Sequence, residues 1–420
     1  MDVCFRGRVG RQMTRMILGL CVALFVCSAV WANLSAYAGE LSSAKSVGAT
    51  ISPLLAKVPT GGEVQFVVTI AGEPDKSAEW LVNGIPGGND TIGTIAGGVY
   101  HSPAVAPIPN EMHIQAKLAK GGRSLFSTVI VGRCEPAYKL VNRWTTDKLT
   151  EGRLDENHGI CLDQAGNVVV TDPTGGRVCR YTRDGKFLDQ IGSGKGTGPG
   201  FFDGPRDAKV DSKGRIFVID GNLNNVQRFD PDGKIVVSKS VAEGGKTDLK
   251  RPHSIAIDAS GRMYLADVDN KRAVVFDEEC RFVMGWPTPP VGSEKKLAPH
   301  STGVDPNGDV FVVDYNGTCY KYTGSGEMLF SFAQIHGQYH AMCTDRWGDV
   351  YFAARNRADT LGRIDKYNNN GVLVVSWVLE REGGPGYPKC LAVDNEGNVY
   401  ATDNEGVDVF APTSTETVIE

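Results

Sequence analysis

PHSIAIDASGRMYLADVDNKRAVVFD, residues 252–277, is the stretch that decides the architecture. SIAID and RMYLAD alternate apolar side chains with a period of two, as half-buried strands do, and Asp258-Ala-Ser-Gly261 stands between them. An Asp at the first position of such a turn accepts backbone amides. A Gly three residues later takes the conformation that re-enters a strand. The two runs therefore form a hairpin. RAVVFD supplies a third strand, and RFVMGW from Arg281 a fourth.

Working outward, the same unit recurs six times. The turns are Asp163-Gln-Ala-Gly166, Asp211-Ser-Lys-Gly214, Asp258-Ala-Ser-Gly261, Asp305-Pro-Asn-Gly308, Asp345-Arg-Trp-Gly348 and Asp394-Asn-Glu-Gly397. The strands that follow read NVVVTD, RIFVID, RMYLAD, DVFVVD, DVYFAA and NVYATD. Four antiparallel strands repeated every 40 to 49 residues are expected to be propeller blades. After the strand ending at Phe410 only ten residues follow, too few for another strand and its turn. YKLVNRW, residues 138–144, resembles the fourth strands and precedes the first repeat, so it is expected to complete the last blade and leave no open sheet edge.

The repeat of residues 252–277 resembles an NHL repeat, and the resemblance extends over 137–411. The expected fold is all-β: a six-bladed β-propeller preceded by an immunoglobulin-like β-sandwich. The sandwich is assigned to 40–133, where EVQFVVTI, AEWLVNG, MHIQAKLA and FSTVIV alternate as strands separated by turns, with Trp80 as the expected core tryptophan. EWLVNGIPGGNDTIGTIAGGVYHSPAVAP resembles bacterial immunoglobulin-like domains of exported proteins.

Residues 1–38 are of another kind. Arg6, Arg8, Arg11 and Arg15 precede an apolar run from Met16 to Val30, and Ala36-Tyr37-Ala38 offers a small-x-small cleavage site. This pattern predicts a signal peptide and an exported protein, periplasmic or extracellular, with no membrane span once the signal is removed. Seven cysteines lie beyond it, with no CxxC pair. Disulfides are possible in that compartment, and an odd count leaves at least one thiol unpaired. Cys161, Cys343 and Cys390 read as small apolar core residues. The net charge of -5, with both signs interspersed, excludes a basic field for nucleic acid.

Five residues before each turn Asp stand His158, Arg206, His253, His300, His340 and Lys389, with Asp207 beside Arg206. Innermost strands line a propeller's channel, so these side chains should crowd one mouth of it. The repeats contain five histidines, and four fall in this register. His158, His253 and His340 come from alternate repeats. Three imidazoles converging from three sides suit a metal with an open position. Zinc is the expected ion, with calcium left open, and His300, Asp207, Arg206 and Lys389 are further site candidates. A His in such a loop can equally serve loop geometry.

NHGICLD, PHSIAID and YHAMCTD also resemble the three zinc-binding His loops of peptidyl-hydroxyglycine amidating lyases, six-bladed NHL-type propellers. PRDAKVD resembles that family's intervening Asp loop. The chain departs from the family where Asn222 aligns with a catalytic Tyr, Val268 with a catalytic Arg, and Ala341 with an acidic residue. The resemblance implies a metal cage without the lyase machinery. Two functions follow: a binding scaffold presenting one propeller face to a small molecule, peptide or protein, or a zinc-dependent lyase or hydrolase. The recurring strand-end acids Asp172, Asp220, Asp267, Asp314 and Asp403 read as structural. GSGKGTGPG from Gly192 lacks the strand–loop–helix context of a phosphate loop.

Overall fold

A computed structural model describes residues 48–133, 135–146, 149–240, 248–288, 298–336, 338–355, 361–379 and 386–415. The expected signal peptide and Cys134 lie outside the described residues. Every regular element among the described residues is a β-strand.

Six four-stranded antiparallel sheets follow one another along the chain. The first is Ile160–Leu162, Val168–Asp172, Arg177–Tyr181 and Phe187–Ile191, paired in that order. The first strands of successive sheets pack on one another, and the first strand of the sixth sheet packs on that of the first. The sheets thus form a closed, propeller-like ring with six inner strands around a channel.

Turn chemistry explains the repeat. Gly166, Gly214, Gly261, Gly308, Gly348 and Gly397 all have φ between 75° and 86°. A side chain is strained in that region. The Asp opening each turn caps it, as when Ala165 N and Asn167 N both donate to Asp163 Oδ1 at 2.9 Å. The strand-end acids act similarly. Buried Asp172 accepts from Asp155 N, Glu156 N and Gly175 N, and Asp267 accepts from Lys250 N. They hold loops to strands.

The sixth sheet closes the ring. Glu135–Thr145 pairs antiparallel with Gly406–Thr415, with Trp144 opposite Val407. Trp144, Val407, Phe410 and Trp377 share one buried cluster, so the closing strand is fastened by apolar packing as well as by its ladder. Gly406–Thr415 lies between Glu135–Thr145 and Val399–Thr402, so removing the closing strand would leave its edge unpaired.

Residues 48–131 form three further sheets around a core of Ile51, Phe66, Trp80, Tyr100, Ile114 and Val129. The four expected strand runs are strands, and Trp80 is buried. Leu55–Val58 pairs with Ser124–Val131 in parallel, unlike the remaining pairs. This N-terminal region packs on the ring. Arg123 forms a two-toothed bond to Asp309, Ser124 N donates to Asn307 Oδ1, and Asn370 Nδ2 donates to Phe126 O. Asn307 and Asn370 lie in hairpin turns, and Asp309 directly follows one. In the fourth sheet His300 stands at the start of the inner strand Pro299–Val304, and the turn contacted by the N-terminal region follows its end. The region therefore docks at the end of the ring opposite the histidine register.

Candidate functional site: a histidine-lined channel mouth

The inner strands begin at the register read from the sequence, and the structure gathers the histidines there. Ring centroids of His158 and His253 are 5.2 Å apart, those of His253 and His300 3.9 Å, and those of His300 and His340 6.0 Å. Tyr315, which the sequence reading missed because it follows a strand-end Asp and not a turn, lies edge-on to His300 at 4.3 Å. Among the described residues, no three of these imidazoles bring ring nitrogens within 4.8 Å of one another. The histidines are assembled as a group but not closed on one point.

His300 is 3% exposed, and His158 and His253 are half-buried. Burial, reinforced by the Arg206 charge, lowers the His158 pKa to about 4. Burial, with His340 and His158 nearby, lowers that of His300 to about 3. Burial and the neighbouring imidazoles push His253 well below its ordinary value. All three are neutral at neutral pH, the state in which imidazole binds a metal.

Their surroundings fix one tautomer. His158 Nδ1 lies 2.9 Å from Arg206 O. A carbonyl only accepts, so Nδ1 carries the proton and Nε2 presents a bare lone pair. A backbone carbonyl orienting the far nitrogen is the usual support of a metal-binding His. Gly159 makes this approach possible. A Cβ there would stand 2.6 Å from Arg206 O and 2.7 Å from Asp207 Cα.

Two buried polar atoms at the mouth lack hydrogen-bond partners among the described residues, Arg206 Nε and His300 Nδ1. The Arg206 guanidinium makes no side-chain hydrogen bond or ion pair to a described residue. Lys389 is placed at the mouth too, but its ammonium is taken by Glu156 Oε1 at 3.0 Å. Asp207 does not join the histidines. Its carboxylate accepts from Ile255 N, Ala208 N and Lys209 Nζ inside the channel. Asp207, named as a further site candidate, stands one level inside the histidine register, beside Lys209.

Below the mouth the register continues inward. Gly159, Asp207, Ser254, Ser301, Ala341 and Cys390 form the next level, laced between sheets by Thr302 N to Ser254 Oγ and Met342 N to Ser301 Oγ. Deeper still, Cys161, Lys209, Ala256, Gly303, Cys343 and Ala392 line a chamber of about 200 Å³. The six described cysteines are buried and form no disulfide among the described residues.

A second titratable cluster lies at the docking face. His113 Nε2 is 2.9 Å from Asp349 and 3.4 Å from Glu111, and Lys366 Nζ is 2.5 Å from Glu111 and 3.1 Å from Asp349. Glu111, His113 and Asp349 are the one group of three or more potential ligands whose atoms converge within 4.8 Å among the described residues, and could hold a metal. The Lys366 ammonium already stands at both carboxylates, however, and with protonated His113 it offsets their charge. Trp347 stacks on the His113 ring, centroids 4.9 Å apart. No sequence motif marks this cluster, whose members come from distant segments.

No protein-family model and no curated protein matches the chain. Among solved structures, a streptogramin B lyase aligns at 14% identity with a TM-score of 0.48, over 66% of this chain and 98% of its own. A gluconolactonase from Xanthomonas campestris aligns at 14% and 0.48, over 67% and 98%. A catalytically inactive virginiamycin B lyase from Staphylococcus aureus with quinupristin aligns at 14% and 0.46, over 66% and 89%.

Proposed function

We propose that the protein is an exported six-bladed NHL-type propeller with an immunoglobulin-like N-terminal domain, and that its histidine mouth binds a small anionic ligand through a divalent metal, zinc before others. The observation that carries this reading is the set of neutral imidazoles at one mouth, with His158 fixed in the tautomer that offers Nε2. Zn–N bonds of about 2.0–2.1 Å place two ring centroids roughly 5 Å apart around one ion. The 5.2 Å between His158 and His253 fits that spacing. His340 completes the set by side-chain rotation. Arg206, with no anionic partner among the described residues, supplies the attraction for a ligand's negative charge.

The reading of the mouth as a zinc-dependent lyase or hydrolase, related to the amidating lyases, rests on one further observation. His300 and Tyr315 adjoin the imidazoles as a pair that can pass a proton to or from a metal-bound group.

Metal analysis of the purified protein after zinc loading and dialysis tests the proposal. About one ion per chain is expected, with loss in His158→Ala, His253→Ala and His340→Ala and a smaller effect in His300→Ala. A metal-free protein, or retention unchanged in His253→Ala, overturns it.

A further inference from the structure

The chamber below the mouth takes no part in the chemistry proposed there. The next level towards the mouth, which includes Ser254 and Ser301, contributes nothing to its lining. Those two hydroxyls lie 3.3 Å apart across neighbouring sheets. The chamber opens the other way. Its outer collar takes one residue from each inner strand, Leu162, Val210, Ile257, Val304, Thr344 and Val393, all half-buried. No described residue of the N-terminal region lines it. Aliphatic side chains thus stand partly exposed around an opening at the docking-face end.

Inside, Ala256, Gly303 and Ala392 carry little or no side chain, and this leaves a space of about 200 Å³. A dry apolar cavity of about 150 Å³ holds one benzene ring, so this space suits a single ring with a short substituent. Lys209 is the one charged residue of the wall. Burial pushes the Cys161 thiol up to about 12 and the Cys343 thiol well above its ordinary value. Both stay protonated and present polarisable sulfur, a favourable neighbour for an aromatic ring. The hydroxyl protons are committed, Thr302 Oγ1 to Tyr264 O and Thr344 Oγ1 to Val304 O.

Lys209 is not fully committed. An ammonium has three donors, and Nζ uses two, on Asp207 Oδ1 at 2.7 Å and on Ala208 O at 3.1 Å. The third has no acceptor among the described residues. Burial lowers the Lys209 pKa, but Asp207 above all outweighs it and leaves the value above that of an ordinary lysine. The amine is therefore charged, and Asp207 already offsets that charge. What the wall leaves unmet is one hydrogen-bond donor, and a neutral acceptor meets it without adding charge.

We propose that the chamber binds one small neutral aromatic carbonyl compound, a single ring bearing a ketone or amide, which enters through the aliphatic collar and accepts a hydrogen bond from Lys209 Nζ. The ring meets the apolar wall and its sulfurs, and the carbonyl meets the spare N–H. A carboxylate in its place would bring a second negative charge to one ammonium. No covalent bond forms, because a protonated amine and protonated thiols are poor nucleophiles.

The test is an NMR titration of the full chain with acetophenone, ethylbenzene and benzoate, three ligands of similar size. One acetophenone per chain is expected. Ethylbenzene, which has no acceptor, and benzoate, which is charged, should each bind at least about tenfold more weakly, or 1.4 kcal/mol. Lys209→Met should bring acetophenone down to the affinity of ethylbenzene. Ala392→Leu, which fills the chamber, should abolish binding of both and leave zinc retention at the mouth unchanged. No acceptance of acetophenone by the wild type, ethylbenzene or benzoate binding as tightly as acetophenone, or undiminished binding in Ala392→Leu overturns the proposal. Should the variants fail to fold, a crystal structure of the wild-type complex decides alone: a carbonyl on Lys209 Nζ supports the chamber, and a ligand seated elsewhere overturns it. Failure here leaves zinc retention at the mouth untouched, and the reverse also holds.

Discussion

At the mouth, His158, His253 and His300 are wholly or partly buried and kept neutral, and Arg206 Nε and His300 Nδ1 have no hydrogen-bond partner among the described residues. At the docking face, at the other end of the inner strands, His113, Lys366, Glu111 and Asp349 are buried and each is paired with at least one other, which holds His113, Lys366 and Asp349 in their charged forms. Burial acts against charge in both places. At the mouth it prevails. At the docking face burial also lowers the His113 pKa, but Asp349 and Glu111 outweigh it and raise it to about 9. The difference separates two uses of buried polarity. Completed pairing fixes the N-terminal region on the ring. Uncompleted pairing leaves capacity for something that arrives from outside.

Breaking the completed side should have the largest effect. Lys366→Met strands two buried carboxylates, and removing one partner of a buried ion pair costs about 3–5 kcal/mol. Chemical denaturation should show that loss. Arg206→Gln at the mouth should change stability by under about 1 kcal/mol. Comparable losses in both variants would erase the distinction.

Gly159→Ala comes next. The new methyl would press on the backbone at Arg206 and Asp207, and overpacking of this kind costs about 1–3 kcal/mol. Because the displaced carbonyl is the one that orients His158, zinc retention should fall with it. Full zinc retention would show that the carbonyl does not set the tautomer.

Acid and base should sharpen the contrast, since the two histidine sets titrate with opposite sign. His113 has a folded pKa above its ordinary value. Its contribution is complete below about pH 6.5 and is lost as pH rises through about 9. His158 and His300 have folded values below the ordinary one. Their contribution is present above about pH 6.5 and is lost as pH falls through about 4 and about 3. Melting temperature should decline on both sides of neutrality, and His113→Gln should remove the alkaline decline alone. An alkaline limb unchanged in that variant would take His113 out of the interface balance.

The smallest effect is expected at Lys389→Met. Its pair with Glu156 is partly solvated, and such pairs contribute about 0.2–1 kcal/mol. A larger loss by thermal melting would move Lys389 from the neutral rim into the working part of the mouth.

Much of the ring was legible because its instructions are local. An Asp and a Gly three residues apart set each turn, and alternation sets each face. The distance from turn to strand start then fixes which residue begins an inner strand. That arithmetic placed His158, His253, His300 and His340 at one mouth, and it marked residues 138–144 as the closing strand. It could not tell that the Asp207 carboxylate would be taken by the Ile255 amide and Lys209, because Ile255 comes from the next sheet. Nor could it find Tyr315.

By itself, then, the sequence determined the strands, their order, the closure and the level at which the histidines stand, since each depends on residues a few positions apart. The tertiary structure alone decided what those side chains meet. Lys366 and Glu111 are 255 positions apart, and His113 and Asp349 are 236. The tautomer of His158 is set by a carbonyl of the next sheet. Pairing, burial and the electrostatic field are sums over neighbours that folding brings together, and no spacing along the chain encodes them.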